Sequence, residues 1–423
     1  MINNRVYRFL RSMATLMAGV SRYLWLMTRD RLPWGKPSEA AWRKANRKTG
    51  KAIYRLATTL RGGMVKFGQV VGSRADYFPP EFVEPLSGLH DQVPGRPLRK
   101  LRPFIERELG QPLDEIFASV DEEPMAAASL AQVHRAQLKD GTEVAIKVQY
   151  PEARKVFPID LASMRRTVRV ARWLNKNIDL RSVAQELSDF VTLELDFARE
   201  AESTERIRES FDGDDRVIVP RVHKSLSTDK VLVLDFIPGR RIGDTEALKE
   251  MGVDLKSTAE RVAGIYCTMI FEHGFFHGDP HPGNLLVDTD GTIGLLDYGL
   301  AKELPEGFSE GVATMIVKSM SGDGAGALEA ARSIGFEVGG QSPDEFRKLM
   351  LMLMGDYGQD NVVGILKASP LEHVPSHFAI IGRVFMLLNG LSHRLVPGER
   401  VIASVMAKSL MSVIARTQAK ASN

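Results

Sequence analysis

The stretch FFHGDPHPGNLLV, residues 275–287, decides how this sequence is interpreted. It places two histidines, an aspartate, an asparagine, two prolines and two glycines between two apolar runs. A metal site, a helix cap and a phosphoryl-transfer loop would each use such residues. Because the prolines and Gly283 break a regular helix, we expect a rigid loop from which the polar side chains project into one site.

The spacing of the polar residues matches that of a kinase catalytic loop. Asp279 and Asn284 fit the D-x-x-x-x-N pattern, in which the aspartate orients the acceptor hydroxyl and the asparagine oxygen binds magnesium. Asp297-Tyr-Gly299 is a variant of Asp-Phe-Gly, whose aspartate chelates the magnesium that bridges the phosphates. Upstream, Val-Ala-Ile-Lys147 matches the strand whose lysine reaches the α- and β-phosphates. These motifs, in this order, predict phosphoryl transfer that uses ATP and Mg²⁺.

Single residues in these motifs also have other interpretations. Lys147 taken alone is a surface lysine on an edge strand. His273, His277 and His281 are spaced by four, which resembles a helical zinc pair, but the prolines argue against a helix there. His277 is expected to brace the loop through hydrogen bonds, as at the equivalent position of many kinase folds, and the role of His281 is left undecided.

Composition places limits on the partners and the compartment. The chain has 423 residues with 56 basic and 53 acidic side chains, a balance that gives no overall argument for nucleic acid. The single cysteine, Cys267, excludes an intramolecular disulfide and a multi-cysteine zinc site. It lies in an apolar run and is predicted to be a core residue. A reducing compartment fits, so we expect a cytoplasmic location.

No run approaches the roughly 20 apolar residues that a membrane-spanning helix needs. The most apolar candidate, Phe378–Leu388, carries Arg383 and is predicted to be a core helix. Near the N-terminus, apolar residues recur at steps of three and four on one helical face: Ile2, Val6, Phe9, Met13, Leu16, Met17, Val20, Leu24 and Met27. Four arginines fall away from that face: Arg8, Arg11, Arg22 and Arg29.

This basic amphipathic helix has two interpretations. It would lie peripherally on an anionic membrane surface, or it would pack on its own protein. An arginine-rich presequence for an organelle is a further alternative.

The order of the elements predicts an α+β, two-lobed protein-kinase-like fold. Residues 1–96 would form a helical N-terminal extension, residues 97–236 a small β-rich lobe with one long helix over 180–210, and residues 237–423 a helical lobe. Asp235 and Ile237, in the connector, are expected to contact the nucleotide. The predicted strands are Ala126–Val133, Val144–Val148, Val217–Val219 and Val231–Phe236.

From roughly Arg61 to Lys302 the chain resembles the UbiB/AarF/ADCK family of atypical kinase-like proteins. Lys66-Phe-Gly-Gln69 is similar to the family's Lys-x-Gly-Gln motif, and Ser73–Pro80 follows it. In the family this motif lies on an extension that folds over the nucleotide cleft. The resemblance therefore implies that Lys66 approaches the active site from outside the kinase core, whereas Lys66 taken alone is a helix-surface lysine.

Two further segments carry the resemblance and imply site residues. Ala126–His134 resembles the family's alanine-rich loop, which replaces the glycine-rich loop of protein kinases; nucleotide contacts are implied for Ala126, Ala127, Ala128 and Ser129. Many relatives have glycine where this chain has Ala131, so the choice between ATP and ADP stays open. Glu194 and Asp196 match a Glu-x-Asp motif that engages Lys66 near the metal, and Glu200 matches the glutamate that pairs with Lys147. The alternative is three solvated helix acids.

The core Asp-Pro-His-Pro-Gly-Asn284 is highly specific to this family. Gly278 stands where ordinary protein kinases have an arginine, so control by activation-loop phosphorylation is not expected. Aminoglycoside- and choline-type phosphotransferases share a similar His-Gly-Asp start but lack the Lys-x-Gly-Gln extension.

The resemblance implies an atypical kinase or ATPase that supports isoprenoid quinone (ubiquinone) biosynthesis or lipid homeostasis near a membrane. Its implied partners are a nucleotide, an anionic membrane surface and proteins of quinone or lipid biosynthesis, with no nucleic acid. The alternatives are a small-molecule phosphotransferase and a nucleotide-gated, non-catalytic scaffold for lipid-modifying enzymes. The residues do not name the phosphoryl acceptor.

Overall fold

The structure, a computed structural model, describes residues 4–30, 32, 35–72, 78–89, 95–174, 188, 191–337, 342–354 and 374–421. The chain divides into two compact units. Unit 1 is Met1–Arg199 with Val222–Phe236, and unit 2 is Glu200–Arg221 with Ile237–Asn423. The predicted division into three domains, with boundaries after residues 96 and 236, stays a prediction.

Unit 1 begins with a helical region. Asn4 starts the first helix, because its side-chain oxygen accepts a hydrogen bond from the Val6 N–H at 2.9 Å. Ser38 caps the second helix in the same way through the Ala41 N–H. The helices of this unit are α1 (Arg5–Asp30), α2 (Glu39–Leu60), α3 (Gly63–Gly72), α4 (Pro80–Val83), α5 (Arg102–Leu109), α6 (Leu113–Ile116) and α7 (Ala153–Leu174).

The packing of α1 corrects the predicted orientation of its faces. Helix α1 packs on α2 and α7, and Arg8, which the periodicity places away from the apolar face, is only 1% exposed. Its guanidinium donates to both carboxylate oxygens of Asp160, at 2.9 and 2.6 Å. Conversely, Val6 and Met17 of the predicted apolar face are 64% and 51% exposed. The periodicity of α1 could not show that α7 places an acid in this interior.

Two sequence features of unit 1 lie partly outside the described residues. Ile2, and residues 73–77 of the segment that follows the Lys-x-Gly-Gln motif, are not among them. Residues 180–187 and 189–190 of the helix predicted over 180–210 are also outside. In its described part the chain turns at Leu195 and Asp196 before α8 (Phe197–Ser210) begins, so a continuous helix is wrong there.

One antiparallel sheet lies in unit 1. Its strands are β1 (Phe117–Val120), β2 (Ala126–Ala127), β3 (Ala131–Leu138), β4 (Glu143–Gln149) and β6 (Val231–Asp235), in the order β1-β3-β4-β6 with β2 on β3. Strand β4 alternates, so Val144, Ile146 and Val148 are fully buried and Lys147 points to the opposite face. Because β4 lies between β3 and β6, Lys147 is not on an edge strand.

Unit 2 contains two small sheets. The first has the order β5 (Val217–Ile218), β10 (Ile293–Leu295), β9 (Leu285–Val287) and β7 (Arg240–Arg241). The second pairs β8 (Phe275–Phe276) with β11 (Lys302–Glu303). The run Val217–Val219 was predicted as part of the β-rich lobe. In the structure its strand, β5, pairs in parallel with β10 and therefore belongs to a sheet of unit 2.

Helices supply most of the core of unit 2. They are α9 (Thr245–Glu250), α10 (Leu255–Thr268), α11 (Phe308–Met320), α12 (Gly324–Ser333), α13 (Pro343–Met354), α14 (Ser376–Leu395) and α15 (Val401–Ala421), and a π-helical turn, Met269–His273, extends α10. Cys267 is fully buried, and burial raises the pKa of its thiol to about 12, which confirms it as a core residue.

The predicted core helix over Phe378–Leu388 lies within α14, where Ile381 and Val384 are fully buried. None of the helices within the described ranges combines the length and the apolarity that crossing a bilayer requires.

Candidate active site

Two loops of unit 2 are held side by side by the strands that flank them. Residues 277–284, called the catalytic loop here because their spacing matches that of a kinase catalytic loop, lead from β8 to β9, and residues 296–301 lead from β10 to β11. Since β9 pairs with β10 and β8 pairs with β11, both ends of the two loops are adjacent. A hydrogen bond from the Leu296 N–H to the Asn284 carbonyl, at 2.9 Å, joins them directly. Asp297 therefore comes directly after Leu296, the residue whose hydrogen bond to Asn284 joins the two loops.

The catalytic loop brings Asp279 and Asn284 into contact. The Asn284 amide nitrogen donates to the Asp279 carbonyl at 3.1 Å and to its carboxylate Oδ2 at 3.2 Å. The Asn284 N–H donates to the His281 carbonyl at 2.8 Å, which closes the turn that Pro282 starts. Because the amide nitrogen faces Asp279, the Asn284 Oδ1 takes no part in this contact, and its predicted role as a metal ligand stays a prediction.

Asp297 adopts a backbone conformation that a non-glycine residue rarely takes. Its φ is +61°, and Arg61 is the other non-glycine residue with positive φ in the described part of the chain. Aspartate tolerates this left-handed conformation better than most residues, and such conformations cluster at functional sites. A Cβ at Gly299 would lie 3.4 Å from Asp297 Oδ1 and 3.9 Å from Glu200 Oε2. Both distances are ordinary van der Waals contacts, so Gly299 lies directly beside two carboxylates.

His277 supports the catalytic loop through hydrogen bonds of its two ring nitrogens. Its Nε2 lies 2.9 Å from the Leu296 carbonyl, and since a carbonyl can only accept, Nε2 carries the proton and Nδ1 accepts. Nδ1 accepts from the Tyr266 hydroxyl at 2.8 Å and from the Asp279 N–H at 3.4 Å. Burial raises the pKa of Tyr266 well above its ordinary value, so the hydroxyl stays protonated. The prediction that His277 braces the loop is confirmed.

Tyr298 completes this buried support. Its hydroxyl donates to the Leu295 carbonyl at 2.9 Å, and its ring meets the edge of His277 at 5.4 Å between ring centroids. Burial, with smaller effects of Glu200 and Asp297, raises the pKa of Tyr298 well above its ordinary value. The residue between Asp297 and Gly299 is therefore a neutral anchor for the second loop.

The three histidines occupy separate environments. His273 packs edge-on against Phe211, with ring centroids 5.6 Å apart, and His281 Nδ1 accepts the Gly283 N–H at 3.1 Å. Across the part of the chain that the structure describes, no group of three or more His, Cys, Asp or Glu side chains is arranged to hold a metal. His281, whose role was undecided, caps the turn that leads to Asn284.

Sequence reasoning missed two residues of this site. Tyr266 was part of an apolar run interpreted as core, although a buried tyrosine hydroxyl usually requires a partner. Arg383 was noted only as a charge in a core helix, yet its Nη2 lies 3.3 Å from the Asp279 Oδ1. In both cases the signal was a polar group within an otherwise apolar segment.

Unit 1 contains most of the other residues predicted for the site. Lys66, on α3, forms an ion pair with Glu194, a contact that the family resemblance implied. Asp196 Oδ1 accepts the Arg199 N–H at 3.1 Å and so caps α8. The roles of Lys66, Glu194 and Asp196 in catalysis and metal binding stay predictions.

Lys147 has a described aromatic neighbour. Its Nζ lies 5.2 Å from the ring centroid of Phe197, which is fully buried. Glu200, its predicted partner, is also buried but belongs to unit 2. The Lys147–Glu200 pair therefore stays a prediction.

The alanine-rich loop forms a tight turn. Ala126 and Ala127 pair with Val133 and Gln132, and the Ala128 N–H donates to the Ala131 carbonyl at 2.8 Å. Ser129, within the turn, is buried. The turn uses the Ala128 N–H internally, and the phosphate contacts predicted for residues 126–129 stay predictions.

The two connector residues lie in different units. The Asp235 carboxylate lies 2.8 Å from the His223 Nε2 within unit 1. Ile237 begins the second segment of unit 2 and is buried. Their contact with a nucleotide stays a prediction.

Comparison with known sequences identifies relatives of the whole site region. Residues 88–331 match the ABC1 atypical kinase-like domain. The chain is 32% identical over 384 residues to the chloroplastic protein ACTIVITY OF BC1 COMPLEX KINASE 7 of Arabidopsis thaliana, covering 85% of this chain and 54% of the relative. It is 35% identical over 276 residues to AarF domain-containing protein kinase 1 of Xenopus tropicalis, covering 64% and 52%.

A relative from Synechocystis extends the comparison. An uncharacterized Synechocystis protein is 32% identical over 392 residues, covering 87% of this chain and 66% of the relative. This chain thus spans from about half to about two thirds of the length of these three relatives.

A solved structure of Rv3197 with erythromycin, from Mycobacterium tuberculosis, superimposes with a TM-score of 0.57 at 26% identity, covering 86% of this chain and 99% of that one. Because the domain match covers more than half of the chain, the protein belongs to the UbiB/AarF/ADCK family of ABC1 atypical kinase-like proteins and has the α+β kinase-like fold that its sequence predicts.

Proposed function

We propose that the protein is an atypical kinase or ATPase that uses ATP and magnesium. The observation that carries the proposal is the pair of joined loops in unit 2. Asn284 holds Asp279 through its amide nitrogen, and the Leu296–Asn284 bond keeps Asp297 beside them. Phosphoryl transfer depends on positioning and on charge stabilisation, and this arrangement supplies a carboxylate for the acceptor and oxygens for a cation.

The oxygen atoms in this arrangement fit magnesium. Mg²⁺ binds one or two carboxylates and completes its shell with water and phosphate oxygens, so the Asp297 carboxylate and the Asn284 Oδ1 are sufficient protein ligands. When bound, the ion would neutralise charge on the β- and γ-phosphates.

The other residues of the site have roles in the transfer itself. Asp279 would orient the acceptor, a hydroxyl in a kinase or water in an ATPase, and would accept its proton as the new O–P bond forms. The bond to the ADP oxygen breaks in the same step, and ADP leaves. Lys147 would bind the α- and β-phosphates, and Glu200 would orient Lys147.

We further propose that the enzyme acts at an anionic membrane and supports isoprenoid quinone biosynthesis or lipid homeostasis. Helix α1 exposes Val6, Leu10, Met17 and Leu24, and their spacing of four, seven and seven places them on one face. Residues 1–61 contain 14 arginines and lysines and two acids. An exposed apolar stripe in a strongly basic region is suited to a lipid surface with anionic headgroups.

The test is phosphate release from ATP and magnesium by the purified chain, with and without anionic phospholipid vesicles. We expect turnover that needs magnesium, rises with vesicles and is lost in Asp279→Ala. Nucleotide binding without turnover in either condition would contradict the enzyme and favour a nucleotide-gated scaffold. Efficient phosphorylation of an amino alcohol or an aminoglycoside would contradict the lipid role and favour a small-molecule phosphotransferase.

A further inference from the structure

We propose that Arg383 is a positioning residue for the Asp279 carboxylate. The inference rests on the proposed function, in which Asp279 orients the phosphoryl acceptor. Arg383 Nη2 lies 3.3 Å from Asp279 Oδ1, and Asn284 Nδ2 lies 3.2 Å from Asp279 Oδ2. Each carboxylate oxygen therefore has its own donor, and the two donors come from elements far apart in the sequence. Such a pair fixes the plane of the carboxylate as well as its location.

The position of Arg383 in its helix is suited to this role. Between Phe378 and Leu388 it is the only charged residue, and its neighbours Ile381 and Val384 are fully buried in the core of unit 2. The Arg383 side chain is 43% exposed and that of Asp279 is 24% exposed. Helix α14 thus anchors Arg383 rigidly through its apolar face, while the guanidinium reaches the rim of the catalytic loop.

The catalytic loop cannot provide this cation itself. Residues 277–284 contain no lysine and no arginine. Gly278, immediately before Asp279, occupies the position where ordinary protein kinases carry arginine, but a Cβ there would lie only 2.4 Å from the Leu300 carbonyl oxygen. Backbone oxygen at that distance leaves no room for a side chain, so a cation beside Asp279 has to come from another element.

The exposure of the pair separates a positioning role from a structural one. Ion pairs that reach solvent stabilise a fold very little, so the loss of Arg383 is expected to leave the melting temperature nearly unchanged. Catalysis is more sensitive, because a displacement of about 1 Å in a reacting group costs about 10²-fold in rate.

The experiment compares Arg383→Met, Arg383→Lys and wild type for phosphate release from magnesium and ATP. We expect kcat to fall about 10- to 100-fold in Arg383→Met, with the KM for ATP within about 2-fold of wild type. Arg383→Lys should recover part of the rate, since it restores a cation without the planar fork. The matched control is Arg347→Met, which removes an arginine whose Nε lies 3.4 Å from Asp344 Oδ1, also in unit 2; its kcat should equal that of wild type.

The outcomes distinguish this inference from the proposed function. If Asp279→Ala is inactive while Arg383→Met keeps the wild-type kcat, the positioning role is overturned and the proposed function stands. If the wild type releases no phosphate, or Asp279→Ala is as active as wild type, the proposed function fails and the inference fails with it. An equal loss in Arg347→Met would also overturn the inference. Should Arg383→Met melt at a much lower temperature, Arg383→Gln replaces it, because glutamine keeps a donor without the charge.

Discussion

Two arginine–aspartate pairs, one in each unit, show opposite uses of the same chemistry. Arg8 and Asp160 join α1 to α7 in unit 1 with both side chains almost completely buried, and Arg8 Nη1 also donates to the Leu60 carbonyl at 2.6 Å. In unit 2, Arg383 Nη2 lies 3.3 Å from Asp279 Oδ1, and both side chains are partly exposed to solvent. The buried pair joins secondary-structure elements, whereas the exposed pair orients a reactive group.

The two pairs differ in the free energy that is needed to remove water from their charged groups. Burial raises the pKa of Asp160 to about 6, even though the Arg8 guanidinium beside it acts in the opposite direction. A buried pair is costly to break, because the remaining charge has no compensation. An exposed pair is replaced by water at little cost, so its value lies in geometry.

Breaking the buried pair should have the largest effect. Arg8→Met would leave the Asp160 carboxylate buried without its cation, and we expect a loss of about 3–5 kcal/mol in the stability of the α1–α7 packing. Hydrogen exchange of α1 and thermal unfolding would measure it. Arg43→Met, which removes solvent-accessible pairs with Glu39 and Glu81, is the control and should leave the stability nearly unchanged. Equal effects of the two variants would contradict the comparison.

The same pair predicts a pH dependence. Because the pKa of Asp160 in the folded protein, about 6, lies above the value of 3.8 for an unperturbed carboxyl, the folded state binds this proton more tightly than the unfolded chain does. The stability of wild type relative to Asp160→Asn should therefore fall as pH rises from 4 to 6, by up to about 1.4 kcal/mol per pH unit, and level off above 6. Thermal unfolding of both proteins across this range measures the difference, and a relative stability that rises with pH would contradict the assignment.

A buried neutral hydrogen bond should have an intermediate effect. Tyr266→Phe removes the shorter hydrogen bond to His277 Nδ1 and leaves the longer one from the Asp279 N–H, so we expect a destabilisation of about 0.5–1.5 kcal/mol. Turnover should fall as well, because His277 braces the loop that carries Asp279. Thermal unfolding and phosphate release would be measured together. Tyr298→Phe, which removes a different buried hydroxyl, tests whether the turnover effect is specific to His277.

The exposed pair should have the smallest effect on stability. Arg383→Met is expected to change the free energy of unfolding by less than about 1 kcal/mol, while Arg8→Met changes it several times more. Thermal unfolding of the two variants side by side sharpens the comparison. A large destabilisation by Arg383→Met would show that this pair also holds α14 in place.

Much of the site could be predicted from the sequence, because its determinants are local. The spacing of Asp279 and Asn284 and the prolines between them define one short turn, and the structure closes that turn with a direct hydrogen bond. The bracing role of His277 followed from the equivalent position of many kinase folds, and the core position of Cys267 followed from its apolar neighbours. The Val-Ala-Ile-Lys147 motif predicted a lysine on a strand, and the structure places Lys147 on β4, opposite the buried side chains of that strand.

The tertiary structure decided the contacts between distant segments. Arg8 is separated from Asp160 by 152 positions, and Arg383 is separated from Asp279 by 104 positions. The helical periodicity of α1 predicts that Arg8 lies away from the apolar face, and the apolarity of α14 predicts a core helix, but neither pattern identifies the acid that its arginine meets. Which acid an arginine meets depends on which elements pack together, and the burial of that contact then determines whether it stabilises the fold or remains exposed beside a reactive carboxylate.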